Sequence, residues 1–314
     1  MKKLLLILLV FPLVLNSCSK DSLREYKTEN VIIIVVDGVR YSETWGDPTH
    51  QYIPYFSNKI AEFGVVNTSF YNNGRTNTTS GFTAITTGNY QEINNSGQES
   101  PTYPSIFQYL IKNDSIPKES AWIINSKDKL AVLGNCENST WKNKYLPSLD
   151  CGISGISSAY RHDRVTLEIF FNVLSEHHPK LTLIGFKEPD FVGHTNSWEH
   201  YLQEIRNTDE YIYKIWNYIR NDPYYSGTTT LFIVNDHGRH LDDVDAGFQA
   251  HGDGCEGCRH VKFFAYGPDF KEGVIDIKRE LIDIPATIAE ILQFNSAYIE
   301  GEIMYELFEQ NVKL

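Results

Sequence analysis

The run Val31-Ile32-Ile33-Ile34-Val35-Val36, closed by Asp37-Gly38, decides how the chain is read. Six consecutive apolar residues are too few for a helix of ordinary length. They suit a strand buried on both faces, as found inside parallel sheets. The aspartate that follows then stands at the rim of the sheet, where open α/β folds gather their active-site groups. Working outward, the pattern predicts further extended segments at 65–70, 121–125, 181–186, 231–234 and 261–266. Helical patterns occupy 53–63, 80–87, 105–111, 164–174, 198–219 and 281–292. This alternation predicts an α/β fold, a mostly parallel central sheet sandwiched by helices. The stretch 134–160, rich in Asn, Ser and Gly, reads as a long loop and a candidate lid.

Composition narrows the function classes. The chain has 314 residues, 41% hydrophobic and 22% charged, enough for one large domain, expected over 30–314. Its formal net charge of −12 disfavours binding to nucleic-acid duplexes. An anionic substrate would need local positive charge, which bound metal ions can supply.

Lys2 and Lys3 precede an apolar run, and Leu15-Asn16-Ser17-Cys18 matches a lipoprotein cleavage box. The expected organisation is a signal peptide over 1–17, a tether over 18–29, and an acyl anchor on Cys18 that holds the protein to the bacterial cell envelope. Loss of the two lysines would take the net charge from −12 to −14. An exported chain makes its four remaining cysteines candidates for disulfides, Cys136 with Cys151 and Cys255 with Cys258. A structural zinc site of His251, Cys255, Cys258 and His260 is the alternative.

Chemistry-bearing residues recur wherever a predicted strand ends or a helix begins: Asp37, Thr78, Asp190 with His194, Asp236 with His237, and His251. Aspartate and histidine suit Zn²⁺, and two such ions about 3.5–4 Å apart clamp a phosphoryl oxygen. A coordinated threonine hydroxyl becomes a usable nucleophile, with helix amides around Ser80 as candidate holders of the phosphoryl oxygens. His177, His178, His200 and His240 read as surface or supporting residues. Trp45, Tyr71, Phe82 and Tyr90 lie near the motifs and are candidates for stacking on a leaving group.

Five ordered blocks resemble the alkaline phosphatase superfamily, most closely its nucleotide pyrophosphatase/phosphodiesterase and sulfatase-like branch. They are Val35-Val36-Asp37-Gly38, the segment from Thr78 to Thr87-Gly88, Glu188-Pro189-Asp190-Phe191-Val192-Gly193-His194, Asn235-Asp236-His237-Gly238, and His251-Gly252. The resemblance implies that Asp37, Asp236 and His237 hold one divalent ion, expected to be Zn²⁺, which also contacts the nucleophile. Asp190, His194 and His251 would hold the second. It implies Thr78 as the nucleophile, ten positions before Gly88, with Thr79 the alternative, and a phosphothreonine intermediate. Asn95 matches the substrate-binding asparagine of the phosphodiesterases. Lys127 and Lys129 resemble the K-x-R element of threonine-dependent phosphomonoesterases, with lysine in place of arginine. The segment Thr78-Thr79-Ser80-Gly81-Phe82 lacks the C/S-x-P-x-R pattern of formylglycine sulfatases. The expected function is a phosphodiesterase acting on a small phosphate ester. A phosphomonoesterase is the first alternative. Sulfuric ester or phosphonate hydrolysis and a binding lipoprotein without turnover follow.

Overall fold

All seven residues of β1 (Asn30–Val36) are buried, and its side chains divide between two cores. Val31, Ile33 and Val35 enter one; Ile32, Ile34 and Val36 enter the other. A strand with two apolar faces must lie inside a sheet covered on both sides, which is why this segment is central. Each such residue contributes roughly 1.5–3 kcal/mol on full burial.

The computed structural model describes residues 25–309. The remaining strands are β2 (Val65–Asn67), β3 (Phe70–Tyr71), β4 (Ala121–Asn125), β5 (Ser148–Cys151), β6 (Leu181–Phe186), β7 (Thr229–Asn235), β8 (Phe263–Tyr266), β9 (Gly273–Ile275) and β10 (Arg279–Glu280). The α-helices are α1 (Thr78–Thr87), α2 (Ile106–Asp114), α3 (Asp163–His177), α4 (Glu188–Gly193), α5 (Trp198–Asn221), α6 (Glu256–Arg259) and α7 (Asp283–Ile291). Eight strands form one sheet in the order β5-β4-β6-β1-β7-β8-β2-β9, and β10 pairs with β3 outside it. The first five run parallel, whereas β8 is antiparallel to both neighbours. Helices α1, α2 and α7 pack on one face through residues such as Phe82, Leu110 and Ile288. Helices α3 and α5 cover the other through Phe170, Leu202 and Ile215. The α/β architecture expected from the sequence is therefore the one observed.

This order fixes where chemistry can occur. Strands β4, β6, β1 and β7 are adjacent and parallel, so the residues after each emerge at one edge: Lys127, Asp190, Asp37 and the Asp236-His237 pair.

Local expectations need three corrections. The 134–160 stretch is not all loop, because β5 extends the sheet along β4 and forms its edge. Segment 65–70 breaks into β2 and β3, since the Asn67 carboxamide accepts the Ser69 amide at 3.0 Å and turns the chain. Neither disulfide is formed: all four cysteines are free thiols. Cys136 is buried in the core, and the Cys151 thiol points to the Ile123 carbonyl at 3.7 Å. Lys2, Lys3 and Cys18 lie outside the described residues, within which no helix is long and apolar enough to cross a membrane.

Candidate active site

Thr78 is the first residue of α1, and the turn before it is built by side chains. Asn77 has extended dihedrals and caps the helix by accepting the Ser80 amide at 3.0 Å. The helix then lies against the end of β7. A Cβ on Gly81 would sit 2.7 Å from the Asp236 carbonyl oxygen, so glycine permits this approach. Gly38 does the same on the other side: its φ of +64° is left-handed, and a Cβ would meet Asp190 Oδ1 at 2.5 Å.

Two overlapping clusters result. The ligand atoms of Asp37, Asp236 and His237 lie within 4.8 Å of one another, as do those of Asp190, His237 and His251. His194 joins the second, its Nε2 lying 3.4 Å from Asp190 Oδ1 and 3.2 Å from His251 Nε2. Each histidine has the same outer partner. His237, His194 and His251 place Nδ1 at 2.8, 2.8 and 2.9 Å from the backbone carbonyls of Gly238, Gln249 and Thr76. A carbonyl only accepts, so in His237 and His251 Nδ1 carries the proton and Nε2 presents a lone pair to the carboxylates, whereas His194 Nδ1 also faces the Arg239 guanidinium at 3.1 Å. That is the tautomer of a metal ligand.

The electrostatics agree with a cation-binding site. Burial and the neighbouring Asp37 push the Asp236 carboxyl well above its ordinary range, and burial also raises Asp37 against the pull of Lys127. Burial opposes charge on Asp190 too, but Lys127, the two histidines and Arg239 outweigh it and keep that carboxylate ionised. Burial and the adjacent His251 hold His237 neutral. Asp236 Oδ2 and His237 Nε2 are buried without a hydrogen bond and lie 3.4 Å apart, while Asp37 Oδ2 is met by Lys127. Two orphaned ligand atoms facing each other, with the Nε2 atoms of His194 and His251 3.2 Å apart nearby, fit a pair of divalent ions. The six donors, three carboxylates and three imidazoles, suit Zn²⁺ or Mn²⁺.

The two lysines stand inside this arrangement. Lys127 Nζ lies 2.8 Å from Asp37 Oδ2 and 2.7 Å from Asp190 Oδ2, and it donates to Thr78 Oγ1 at 3.1 Å. The Thr78 hydroxyl points on to Asp37 Oδ1 at 3.4 Å. Thr79 is turned elsewhere, its hydroxyl and amide both donating to Asn95 Oδ1, at 2.8 and 3.0 Å. Lys129 Nζ donates to the same oxygen at 2.8 Å. Three donors fix the orientation of the Asn95 amide and leave its Nδ2 available for a ligand oxygen.

Burial and the neighbouring Lys127 push the Lys129 ammonium down to about 8. Its charge is therefore present below that pH and lost above it. The inhibition constant of inorganic phosphate should rise about tenfold as pH climbs through this range. In Lys129→Gln the rise should vanish, and an unchanged profile would remove Lys129 from the anion site.

Some expectations fail here. The amides near Ser80 are already used, by Asn77 and Asn95, so they are not the anion cradle. Phe82 is a core residue with no exposed surface. His260 gives Nε2 to the Thr68 carbonyl at 2.8 Å and stacks on Tyr41, while His251 serves the catalytic cluster, so neither joins Cys255 and Cys258 in a zinc site. His240, expected to be a surface or supporting residue, is buried with only 5% exposed, which leaves the supporting reading. Arg239 is the main omission. It is fully buried, pairs with Asp190, and reaches the Gln249 carbonyl that orients His194 at 2.9 Å. Its place directly after Asp236-His237-Gly238 was the available signal.

A family model described as Sulfatase matches residues 29–294. No curated protein sequence matches the chain. Among solved structures, it is similar to a phosphonate monoester hydrolase from Silicibacter pomeroyi, with TM-score 0.65 and 12% identity over 88% of this chain and 76% of that one. The lipoteichoic acid synthase LtaP from Listeria monocytogenes gives 0.63 at 14% identity, covering 88% and 74%. A sulfatase from Pseudoalteromonas sp. gives 0.63 at 14%, covering 91% and 73%.

Proposed function

The chain belongs to the sulfatase family, within the alkaline phosphatase superfamily of metal-dependent hydrolases, and from that premise we propose that it hydrolyses phosphoric monoesters with Thr78 as nucleophile. The observation that carries this reading is the pair of lysines at the nucleophile, Lys127 at 3.1 Å from Thr78 Oγ1 and Lys129 on Asn95. Two protein cations beyond the metal ions favour the doubly charged phosphoryl group of a monoester over a singly charged diester or sulfate. This reverses the order expected from the sequence, where the diester stood first. The diester stays as the second reading because Asn95 Nδ2 is oriented for a single ester oxygen. Sulfate esters are disfavoured by the absence of the formylglycine-forming pattern in Thr78-Thr79-Ser80-Gly81-Phe82.

In this reading Asp37, Asp236 and His237 would hold one divalent ion, and Asp190, His194 and His251 would hold the other. When bound, such ions would supply Lewis acidity to the reacting centre. The chain's own groups do the rest. Lys127 holds the Thr78 oxygen while its proton points toward Asp37. That oxygen attacks phosphorus, the alcohol departs with a proton, and phosphothreonine remains. Lys127, Lys129 and Asn95 hold its three oxygens. Water then enters on the side of His194, whose side chain is 48% exposed, and releases phosphate while returning the proton to Thr78.

The test is the ratio of kcat/KM for p-nitrophenyl phosphate and bis(p-nitrophenyl) phosphate, with p-nitrophenyl sulfate alongside. A monoester preference of about 10²-fold or more is expected, shrinking in Lys127→Ala and Lys129→Ala. A diester preference that survives both changes would overturn the monoester reading. We further propose a lipid-anchored envelope enzyme attached through Cys18, with no role in binding nucleic-acid duplexes. A Cys18→Ala chain still partitioning with membranes would contradict the anchor.

A further inference from the structure

A second group of ligand-type side chains lies outside the catalytic clusters, in the connection between β7 and β8. His240, Asp253, Cys255 and Cys258 each bring one ligand atom to within 4.8 Å of all the others. The composition of two thiols, one imidazole and one carboxylate is that of a tetrahedral structural zinc site, with bonds of about 2.0–2.3 Å.

The surroundings are built for it. The His240 ring is buried, yet neither of its nitrogens makes a hydrogen bond. An imidazole with two orphaned nitrogens is costly unless something else satisfies them. Nε2 faces Asp253 Oδ1 at 3.3 Å, inside the group, while Nδ1 faces Asp245 Oδ2 at 3.7 Å, outside it. That is the disposition of a ligating histidine backed by a second carboxylate. Backbone bonds set the remaining ligands. The Cys255 amide donates to Asp253 Oδ1 at 3.0 Å, and the Cys258 amide donates to the Cys255 carbonyl at 3.1 Å, which holds the two thiols on one tight turn. Gly238 and His240 donate to the carbonyls of Cys258 and Ala250, at 2.8 and 3.0 Å, tying both ends of the loop to the end of β7.

We infer that His240, Asp253, Cys255 and Cys258 bind one structural divalent ion of the zinc type, separate from the catalytic pair. The two thiol protons leave to solvent as the thiolates bind. The site also locks a catalytic ligand. His251 lies two residues before Asp253, its Nδ1 donates to the Thr76 carbonyl, and Thr76 Oγ1 donates to the Asp253 carbonyl at 2.7 Å. Fixing Asp253 therefore fixes the loop carrying His251 against the turn that leads into Thr78.

Cobalt substitution of the full chain tests this without relying on activity. The catalytic clusters contain no sulfur, so a thiolate-to-cobalt charge-transfer band in the near ultraviolet reports the second site alone. The expected result is that band in the parent chain, with loss of the band and of one metal equivalent in Cys255→Ser or Cys258→Ser. If those variants fail to fold, the parent spectrum still decides. Cobalt bound without a thiolate band, or a Cys255–Cys258 disulfide seen by mass under non-reducing conditions, overturns the inference.

Discussion

Replacing Thr78 with alanine should lower turnover by about 10⁴-fold or more while leaving metal content unchanged. Its hydroxyl is the one oxygen placed between Lys127 and Asp37, and loss of a nucleophile cannot be offset by positioning alone. Thr79→Ala should behave differently. It removes one of three donors to Asn95 Oδ1, so its cost is that of one hydrogen bond, about tenfold in kcat/KM. Steady-state kinetics on both variants, with elemental analysis of each, separate the cases. If Thr79→Ala abolished turnover and Thr78→Ala did not, the nucleophile would have been misassigned.

Chelation should have the next largest effect, abolishing hydrolysis and lowering the melting temperature on the order of 10 °C. Asp37, Asp190 and Asp236 are buried together, and removing the ions leaves Lys127, Arg239 and the more distant Lys129 to offset them. The sign of the accompanying pH effect follows from Asp236. Its folded pKa is raised, so above the ordinary value of 3.8 the folded chelated chain keeps a proton that the unfolded chain releases. Stability of the chelated chain should therefore fall as pH rises toward that elevated value. Asp190, whose pKa is depressed, opposes this only in the acid range. Calorimetry with and without chelator measures both effects. An unaltered melting temperature after complete metal removal would mean that the carboxylates do not need the ions.

The sequence revealed the parts whose physics is local. β1 was legible because six apolar residues with two apolar faces have no other economical home. Asp37, Asp190 and Asp236-His237 were legible because each follows such a strand. What escaped depended on partners far away in the chain. β5 carries exposed Leu149 and has only one neighbour, so its apolar signal is weak. Lys127 and Lys129 read equally as a solvated turn until the sheet order put β4 beside β6, burying Lys127 against distant carboxylates and Lys129 against the Asn95 amide. Arg239 and His240 are polar residues whose burial no pattern announces, and His251 and His260 stand nearer to Cys255 and Cys258 in sequence than His240 does, so spacing alone favours them as partners of the thiols.

The parallel order of β6, β1 and β7 has a consequence for assembly. These strands are neighbours in space but distant along the chain, so the catalytic ligands, from Asp37 to His251, meet only after most non-local pairing is complete. A chain in which these pairings have not formed does not bring the six side chains together. The group from His240 to Cys258, by contrast, is drawn from one short segment, so its assembly depends far less on the sheet order. The candidate catalytic centre is thus a report on topology, complete only when the strands lie in their final order.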